Sequence, residues 1–153
     1  RVIGMHFFNP VPVLRLVELV PSLLTSPETV ARAEAFCIGQ LDKHIVHCKD
    51  RAGFVVNALL IPYLLAAIRM VESGFASAAE VDTGMVDGCN HPMGPLALCD
   101  LIGLDTIQFV AQSLYAEFKE PLYAPPSLLM RMVEAGLVGR KSGHGFFDYP
   151  QHK

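Results

Sequence analysis

The sequence predicts a mostly α-helical chain, in which a helical domain follows a short segment of strands and one helix. Three observations support this fold class. The first fifty residues contain short β-rich runs separated by prolines and polar residues. A charged break follows at residues 49–51. After that break, the remaining segments carry the start and stop signals that are typical of helices.

The first part of the chain alternates strands with one helix. Residues 2–5 and 14–20 are the first two predicted strands, although the second alternates less cleanly. Ser26 begins a helix, because a capping hydroxyl there is followed by a proline at the first helical position and an acid in the first turn. We expect that helix to run to about Leu41 and a third strand to cover residues 43–48.

The second part of the chain is predicted to be helical throughout. A long helix over residues 54–73 contains Pro62, which removes one backbone hydrogen bond and predicts a kink. Ser77 and Glu80 have the spacing of a capping box, which starts a short helix that ends near Gly88. The remaining predicted elements are a helix with Pro95 at its first position, a helix over 104–118, a loop at 121–126, a helix over 127–135 and a glycine-rich turn over 139–149.

The composition argues against two classes of function. A net charge of −3 gives no sign of a nucleic-acid surface. Residues 52–68 approach the minimum length of a membrane span, but they contain Asn57 and Tyr63 and lack a basic flank. We therefore expect a buried helix and no membrane insertion. With 52% hydrophobic residues, the chain has enough apolar material for a large core and a buried subunit interface.

The cysteines and histidines predict no metal site. The four cysteines are Cys37, Cys48, Cys89 and Cys99. None of them forms a Cys-x-x-Cys pair, so we expect buried, reduced thiols. His44 and His47 lie near Cys48, but a spacing of three on a strand puts the two histidines on opposite faces.

Phosphate-binding loops are absent from the sequence. No Gly-x-Gly-x-x-Gly follows a strand. Residues 139–143 superficially resemble the end of a P-loop, but Ala135 stands where that motif requires a glycine. The chain contains no serine-hydrolase elbow either.

The segment over residues 4–18 holds the most informative polar residues. His6 is followed by two phenylalanines, and Glu18 lies twelve residues further on. If the two lie on adjacent strands, the carboxylate can fix the tautomer of the imidazole and stabilise the imidazolium that forms on proton transfer. The alternative is a core histidine and an exposed acid, and spacing alone leaves both open.

Several long motifs in one order resemble those of the L-3-hydroxyacyl-CoA dehydrogenases. They are His-Phe-Phe-Asn-Pro at 6–10, Leu-Val-Glu at 16–18, Lys-Asp-Arg-Ala-Gly-Phe-Val-Val-Asn at 49–57, Asp-Thr-Gly-Met at 82–85, His-Pro-Met-Gly-Pro at 91–95, Gly-Leu-Asp at 103–105 and Gly-Arg-Lys-Ser-Gly-His-Gly-Phe at 139–146. The resemblance covers the chain from end to end, and within the family it is strongest to the bacterial 3-hydroxybutyryl-CoA type.

The resemblance implies a role for five residues. It makes His6 the catalytic base and Glu18 its partner in the NAD-dependent oxidation of a 3-hydroxyacyl-CoA to a 3-oxoacyl-CoA, a reaction of fatty acid β-oxidation. Asn9 lies near the nicotinamide, and Asn57 binds the substrate. Lys141 approaches the cofactor. For Asn57 the alternative is a polar residue satisfied within the fold. For Lys141 it is a solvated surface lysine.

The resemblance also implies a domain organisation. Residues 1–50 are similar to the last β/α elements of a Rossmann NAD-binding domain, whose glycine-rich loop is absent from this chain. Residues 51–153 are similar to the helical C-terminal domain, which contributes to dimerisation and substrate binding. We expect an acyl-CoA substrate, a homodimer and a cytoplasmic location, with the mitochondrial matrix as the alternative. A second hypothesis is that the isolated fragment is a non-catalytic dimerisation module.

Overall fold

A computed structural model of the chain describes residues 1–150 and divides it into two compact units. The first unit runs from Arg1 to Val56, and the second begins at Asn57. The helical domain expected from the sequence extends to residue 153, so its last three residues lie outside the described range.

The first unit contains a three-stranded mixed sheet and one helix. Its elements are β1 (Ile3–Phe7), β2 (Leu16–Pro21), α1 (Pro27–Gly39) and β3 (His44–His47). Strand β2 lies in the centre, antiparallel to β1 and parallel to β3. The parallel pair needs a crossover, which α1 supplies. Each predicted element is present, and Ser26 caps α1 by accepting a hydrogen bond from the Thr29 N–H.

The two faces of this sheet differ because successive side chains of a strand point to opposite sides. One face is apolar: Val17 and Leu19 of β2 are fully buried and pack with Ala33 and Cys37 of α1. The residue between them, Glu18, points to the opposite face. The strand pattern therefore places an acid away from the core that α1 forms.

The second unit is helical. Its helices are α2 (Val56–Glu72), α3 (Ala78–Cys89), α4 (Pro95–Ile102), α5 (Leu104–Phe118) and α6 (Ser127–Glu134), with 3-10 turns at Pro121–Tyr123 and Arg140–Ser142. Its core is made of buried apolar residues from four of these helices: Ile61, Leu64, Leu65, Ala67, Ile68, Leu96, Cys99, Leu104, Ile107, Ala111, Leu114, Leu129 and Met132. The predicted capping box of α3 is confirmed, with Ser77 and Glu80 each bonded to the other's backbone N–H.

Several element boundaries differ from the sequence prediction by one or two residues, and the start of α2 is the one that bears on the site. Helix α2 begins at Val56 rather than at residue 54, because Gly53 and Phe54 both adopt positive φ angles and form a turn. The predicted loop at 121–126 contains a 3-10 turn. Helix α2 continues through Pro62. Within residues 1–150, no helix combines the length and the apolar character that a membrane span requires.

Two acids, the half-buried Asp82 and the buried Asp100, organise the loops of the second unit. The Asp82 carboxylate on α3 accepts hydrogen bonds from the Leu96 and Ala97 N–H groups, in the first turn of α4. The Asp100 carboxylate on α4 accepts hydrogen bonds from the Phe146 and Phe147 N–H groups. It also accepts one from the Tyr149 hydroxyl. These contacts satisfy backbone donors that would otherwise lack partners at a helix start and in an irregular segment.

Candidate active site

His6 and Glu18 face each other across β1 and β2. The strand register pairs them directly, and the imidazole Nδ1 lies 2.7 Å from Oε2 of the carboxylate. The Glu18 side chain is fully buried, whereas the His6 side chain is 34% exposed. Because a carboxylate only accepts hydrogen bonds, Nδ1 carries the proton in the neutral imidazole and Nε2 keeps its lone pair. The antiparallel pairing thus brings together the two residues that the sequence singled out.

The second oxygen of Glu18 is held by the backbone. Oε1 accepts hydrogen bonds from the Val55 and Val56 N–H groups, each at 2.9 Å. Burial raises the pKa of Glu18, but the hydrogen bonds from His6, Val56 and Val55 together outweigh it and leave the pKa below its ordinary value of 4.5. Glu18 is therefore ionised at neutral pH although it is buried.

Apolar side chains and a thiol surround this pair. The His6 ring centroid lies 4.6 Å from that of Phe8 and 5.5 Å from that of Phe54. Cys48, just after β3, is 6% exposed. Burial raises the pKa of its thiol, and the negative charge of Glu18 adds to that effect. An ionised, hydrogen-bonded carboxylate and a partly exposed imidazole in weakly polar surroundings are suited to general-base chemistry.

The loop that follows β1 is ordered by a buried lysine. Lys43 is 8% exposed, and its Nζ donates hydrogen bonds to the carbonyl oxygens of Val11 and Leu14 at 2.5 and 2.8 Å. Asn9 is exposed on this loop and precedes Pro10 with a cis peptide bond. The side-chain amide of Asn9 thus stands at the solvent-facing end of the strand that carries His6.

The two remaining predicted site residues belong to the second unit. Asn57 lies in the first turn of α2 and is half-buried. Lys141 pairs with Asp105, its Nζ lying 2.5 and 2.6 Å from the two carboxylate oxygens. The hydrogen bond from Lys141 lowers the pKa of Asp105 below its ordinary value. The sequence reasoning did not anticipate this ion pair.

The contacts of the turn at residues 53–56 were not predicted from the sequence either. The predicted helix began at Phe54, directly after Gly53, and no role was predicted for Phe54 or for the Val55 and Val56 N–H groups. The available signal was Gly53, since a glycine directly before a helix marks a turn that needs a positive φ.

Comparison with known proteins assigns the chain to a family of dehydrogenases. Residues 53–149 match the C-terminal domain of 3-hydroxyacyl-CoA dehydrogenase, and residues 1–51 match the NAD binding domain of the same family. The chain therefore belongs to the 3-hydroxyacyl-CoA dehydrogenase family, as the motifs indicated. Its fold is a helical C-terminal domain preceded by β/α elements of an NAD-binding domain.

Two curated relatives align over almost the whole chain. A 3-hydroxybutyryl-CoA dehydrogenase of Mycobacterium tuberculosis is 61% identical over 97% of the chain and 52% of its own length. The human mitochondrial hydroxyacyl-coenzyme A dehydrogenase is 44% identical over 97% of the chain and 48% of its own length. The chain thus spans about half the length of the curated relatives it matches.

Two solved structures also match almost the whole chain and about half of their own length. FadB2 of M. tuberculosis superposes with a TM-score of 0.97 at 61% identity, over 98% of this chain and 53% of that one. The (S)-3-hydroxybutyryl-CoA dehydrogenase PaaH1 of Ralstonia eutropha superposes with a TM-score of 0.93 at 51% identity, over 97% of this chain and 52% of that one.

Proposed function

We propose that the whole protein to which this chain belongs oxidises an L-3-hydroxyacyl-CoA to the 3-oxoacyl-CoA with NAD, and that 3-hydroxybutyryl-CoA is its substrate type. The observation that carries the proposal is the 2.7 Å contact between the His6 imidazole and the buried Glu18 carboxylate, in a chain of this family. The substrate type rests on the 61% identity to a protein named 3-hydroxybutyryl-CoA dehydrogenase.

His6 is the general base in this proposal. Its Nε2 accepts the proton of the 3-hydroxyl group, and Glu18 stabilises the imidazolium through Nδ1. In the reverse direction the imidazolium returns that proton to the developing alkoxide. Glu18 remains ionised throughout, because the Val55 and Val56 N–H groups hold its other oxygen.

The residues near His6 fit a nicotinamide cofactor in their chemistry. Asn9 presents an exposed amide that can both donate and accept hydrogen bonds, as a carboxamide partner requires. The phenyl rings of Phe8 and Phe54 provide the weakly polar surroundings that favour hydride chemistry over proton exchange with water. NAD, when bound, supplies the hydride acceptor. The glycine-rich loop that would hold its phosphates is not among these 153 residues.

Asn57 and Lys141 have binding roles in this proposal. Asn57 donates a hydrogen bond to the acyl-CoA substrate from the first turn of α2, where its half-buried amide remains accessible. Lys141 approaches the cofactor. Its ammonium is already paired with Asp105, so it would exchange one of those hydrogen bonds for a cofactor oxygen.

The same proposal covers domain roles and assembly. Residues 1–50 contribute to NAD binding, and residues 51–153 contribute to substrate binding and dimerisation. Large apolar side chains that are half or more exposed support a homodimer through the helical unit: Leu59, Phe75, Leu101 and Phe109. A cytoplasmic location rests on the resemblance to the bacterial type alone. No observation in residues 1–150 favours the alternative of a non-catalytic dimerisation module.

Acetoacetyl-CoA-dependent oxidation of NADH by the whole protein tests the proposal. We expect turnover, and we expect His6→Gln to lower kcat by about 10²- to 10⁴-fold while KM changes by no more than about twofold. His47→Gln is a matched control, because His47 also lies 2.7 Å from a carboxylate, that of Glu34, on an exposed part of the same unit. Absence of turnover in the unsubstituted protein would refute the activity. A fall in kcat that is matched by an equal rise in KM would make His6 a structural residue.

A further inference from the structure

The turn before α2 contains two consecutive residues in the left-handed region. Gly53 has a φ of 76° and Phe54 a φ of 45°, and the Phe54 N–H donates to the Arg51 carbonyl oxygen at 3.1 Å. Glycine adopts such angles without cost, but a residue with a bulky side chain does not. Phe54 therefore adopts its backbone conformation against a penalty, as residues at functional sites do.

Phe54 is linked to both members of the His6–Glu18 pair, to His6 by its ring and to Glu18 through the two residues that follow it. Its left-handed backbone is followed directly by the two N–H groups of Val55 and Val56, which converge on the same oxygen of Glu18. Its ring lies against the imidazole, with 5.5 Å between the centroids. The backbone thus sets the position of the carboxylate, and the ring limits the movement of the imidazole.

The other residues with positive φ do not share this arrangement. Among the non-glycine residues of the described chain, Asn90 and Lys119 adopt left-handed angles as C-caps of α3 and α5, where that conformation is common. Asp42 lies in the connection between α1 and β3. Phe54 instead lies before the start of a helix, where a left-handed conformation has no capping role. Its bulky side chain also disfavours that conformation.

We propose that Phe54 is a positioning residue, which orients the His6–Glu18 pair by directing two backbone N–H groups onto Glu18 and by packing its ring against His6. This inference rests on the proposed function, because it assigns Phe54 to the orientation of the proposed base. Phe54 touches neither a proton in transfer nor a reacting atom in this scheme. Its effect on the reaction is exerted through His6, which its ring contacts, and through Glu18, which the Val55 and Val56 N–H groups hold.

Steady-state kinetics of the whole protein test this role with two substitutions and one control. Phe54→Gly removes the ring that packs against His6, and because glycine also samples many other backbone conformations it loosens the turn that holds Glu18. We therefore expect kcat to fall about ten- to hundredfold, as it does when reacting groups are slightly misplaced. KM is expected to stay within about twofold. Phe54→Tyr keeps the ring and is expected to retain kcat within about threefold. Lys119→Gly relieves a left-handed residue at a helix end and is expected to leave kcat unchanged.

A spectroscopic measurement separates positioning from general loss of structure. The proton on Nδ1 of His6, shared with Glu18, is observable by NMR, and we expect its resonance to shift or broaden in Phe54→Gly but not in Lys119→Gly. If Phe54→Gly does not fold, Phe54→Leu replaces it, since leucine keeps the apolar bulk but not the aromatic face. The expected result is then a loss of kcat that Phe54→Tyr does not show.

The possible outcomes distinguish this inference from the proposed activity. Absence of turnover in the unsubstituted protein would refute the activity itself. Turnover that survives Phe54→Gly, with an unchanged Nδ1–H resonance, would overturn the role of Phe54 and leave the activity in place. A Phe54→Tyr variant as impaired as Phe54→Gly or Phe54→Leu would likewise overturn it, because the ring alone would then not restore orientation.

Discussion

The two carboxylate oxygens of Glu18 accept hydrogen bonds from different groups. Oε2 accepts from the His6 Nδ1, and Oε1 accepts from the Val55 and Val56 N–H groups. Only an ionised carboxylate can accept on both sides at once. The acid therefore fixes the tautomer of His6 and satisfies two backbone donors with a single side chain.

We predict that Glu18→Gln preserves the fold but abolishes most turnover. The amide oxygen would stay with the Val55 and Val56 N–H groups, so the amide NH₂ would face His6 and force the proton onto its Nε2. The lone pair of the base would then point to the wrong side. We expect kcat to fall by about 10²- to 10⁴-fold, with an unchanged circular dichroism spectrum. Wild-type turnover and pH profile in this variant would show that the pairing has no catalytic role.

Glu18 also predicts how stability depends on pH. Its folded-state pKa lies below the ordinary value of 4.5, so its contribution is fully present above that value and is lost as the pH falls through the lower, folded-state pKa. Urea unfolding should show the native protein more stable than Glu18→Gln at about pH 7, with a difference that shrinks towards about pH 3. A difference that stays constant or grows in acid would contradict the assigned direction.

Some contacts between individual side chains could be predicted from the sequence, and others could not. The meeting of His6 and Glu18 was predictable in outline, because two strands joined by a short loop place residues opposite each other. The partner of Lys141 was not predictable. Asp105 lies 36 residues away, and its approach depends on how α5 packs beside the final loop. The hydrogen bonds to Glu18 from the 53–56 turn were missed for the same reason.

At the scale of elements, the order of helices and strands was largely predictable, but the start of α2 was not. The helix starts after Ser26 and Ser77 followed from capping side chains, and the start at Pro95 followed from a proline at the first helical position. These signals act within one turn. The start of α2 was placed at residue 54 rather than at Val56. The reason is that the apolar pattern of the segment continues through the turn, and the positive φ of Phe54 leaves no mark in that pattern.

The segment that follows the 3-10 turn Arg140–Ser142 is tied to α4 by one carboxylate. Gly145 lies so close to Asp100 that a Cβ atom there would overlap its carboxyl group. Asp100 is 1% exposed, and its carboxylate accepts hydrogen bonds from the Phe146 and Phe147 N–H groups and from the Tyr149 hydroxyl. The Asp100 carboxylate therefore cannot move away from Gly145 without losing some of these hydrogen bonds.

We predict that Gly145→Ala destabilises the protein by about 2 kcal/mol, because it displaces a buried, hydrogen-bonded carboxylate. Gly84→Ala is the matched control. Gly84 is exposed within α3 with open space around it, so alanine there should stabilise the helix by about 0.5 to 1 kcal/mol. Urea unfolding of both variants measures the free energies. Equal effects of the two substitutions would show that the Asp100 contacts do not hold this segment.

At the scale of the whole chain, the family boundary and the structural boundary differ by a few residues. The family match to the C-terminal domain begins at residue 53, whereas the first compact unit extends to Val56. The difference is explained by the turn at residues 53–56, whose N–H groups bind Glu18. A division of the protein at residue 52 would therefore separate Glu18 from two of its hydrogen-bond donors.

The exposed apolar surface of the helical unit leads to a prediction about assembly. Leu59 and Phe109 of the helical unit are 72% and 69% exposed, and burial of such side chains between two copies would stabilise a dimer. We expect the whole protein to sediment as a dimer. A protein with both Leu59→Glu and Phe109→Glu should associate more weakly by more than about tenfold in Kd, because each charge would be buried without a partner.

The control for this assembly experiment is Leu23→Glu. Leu23 is fully exposed in the first unit, so its substitution by glutamate adds a charge of the same kind outside the helical unit. Because dimerisation is assigned to the helical unit, we expect this variant to sediment with the same mass as the unsubstituted protein. A monomeric mass for the unsubstituted protein would contradict the homodimer. A dimer that survives both charges in the double variant would place its interface on a surface that includes neither Leu59 nor Phe109.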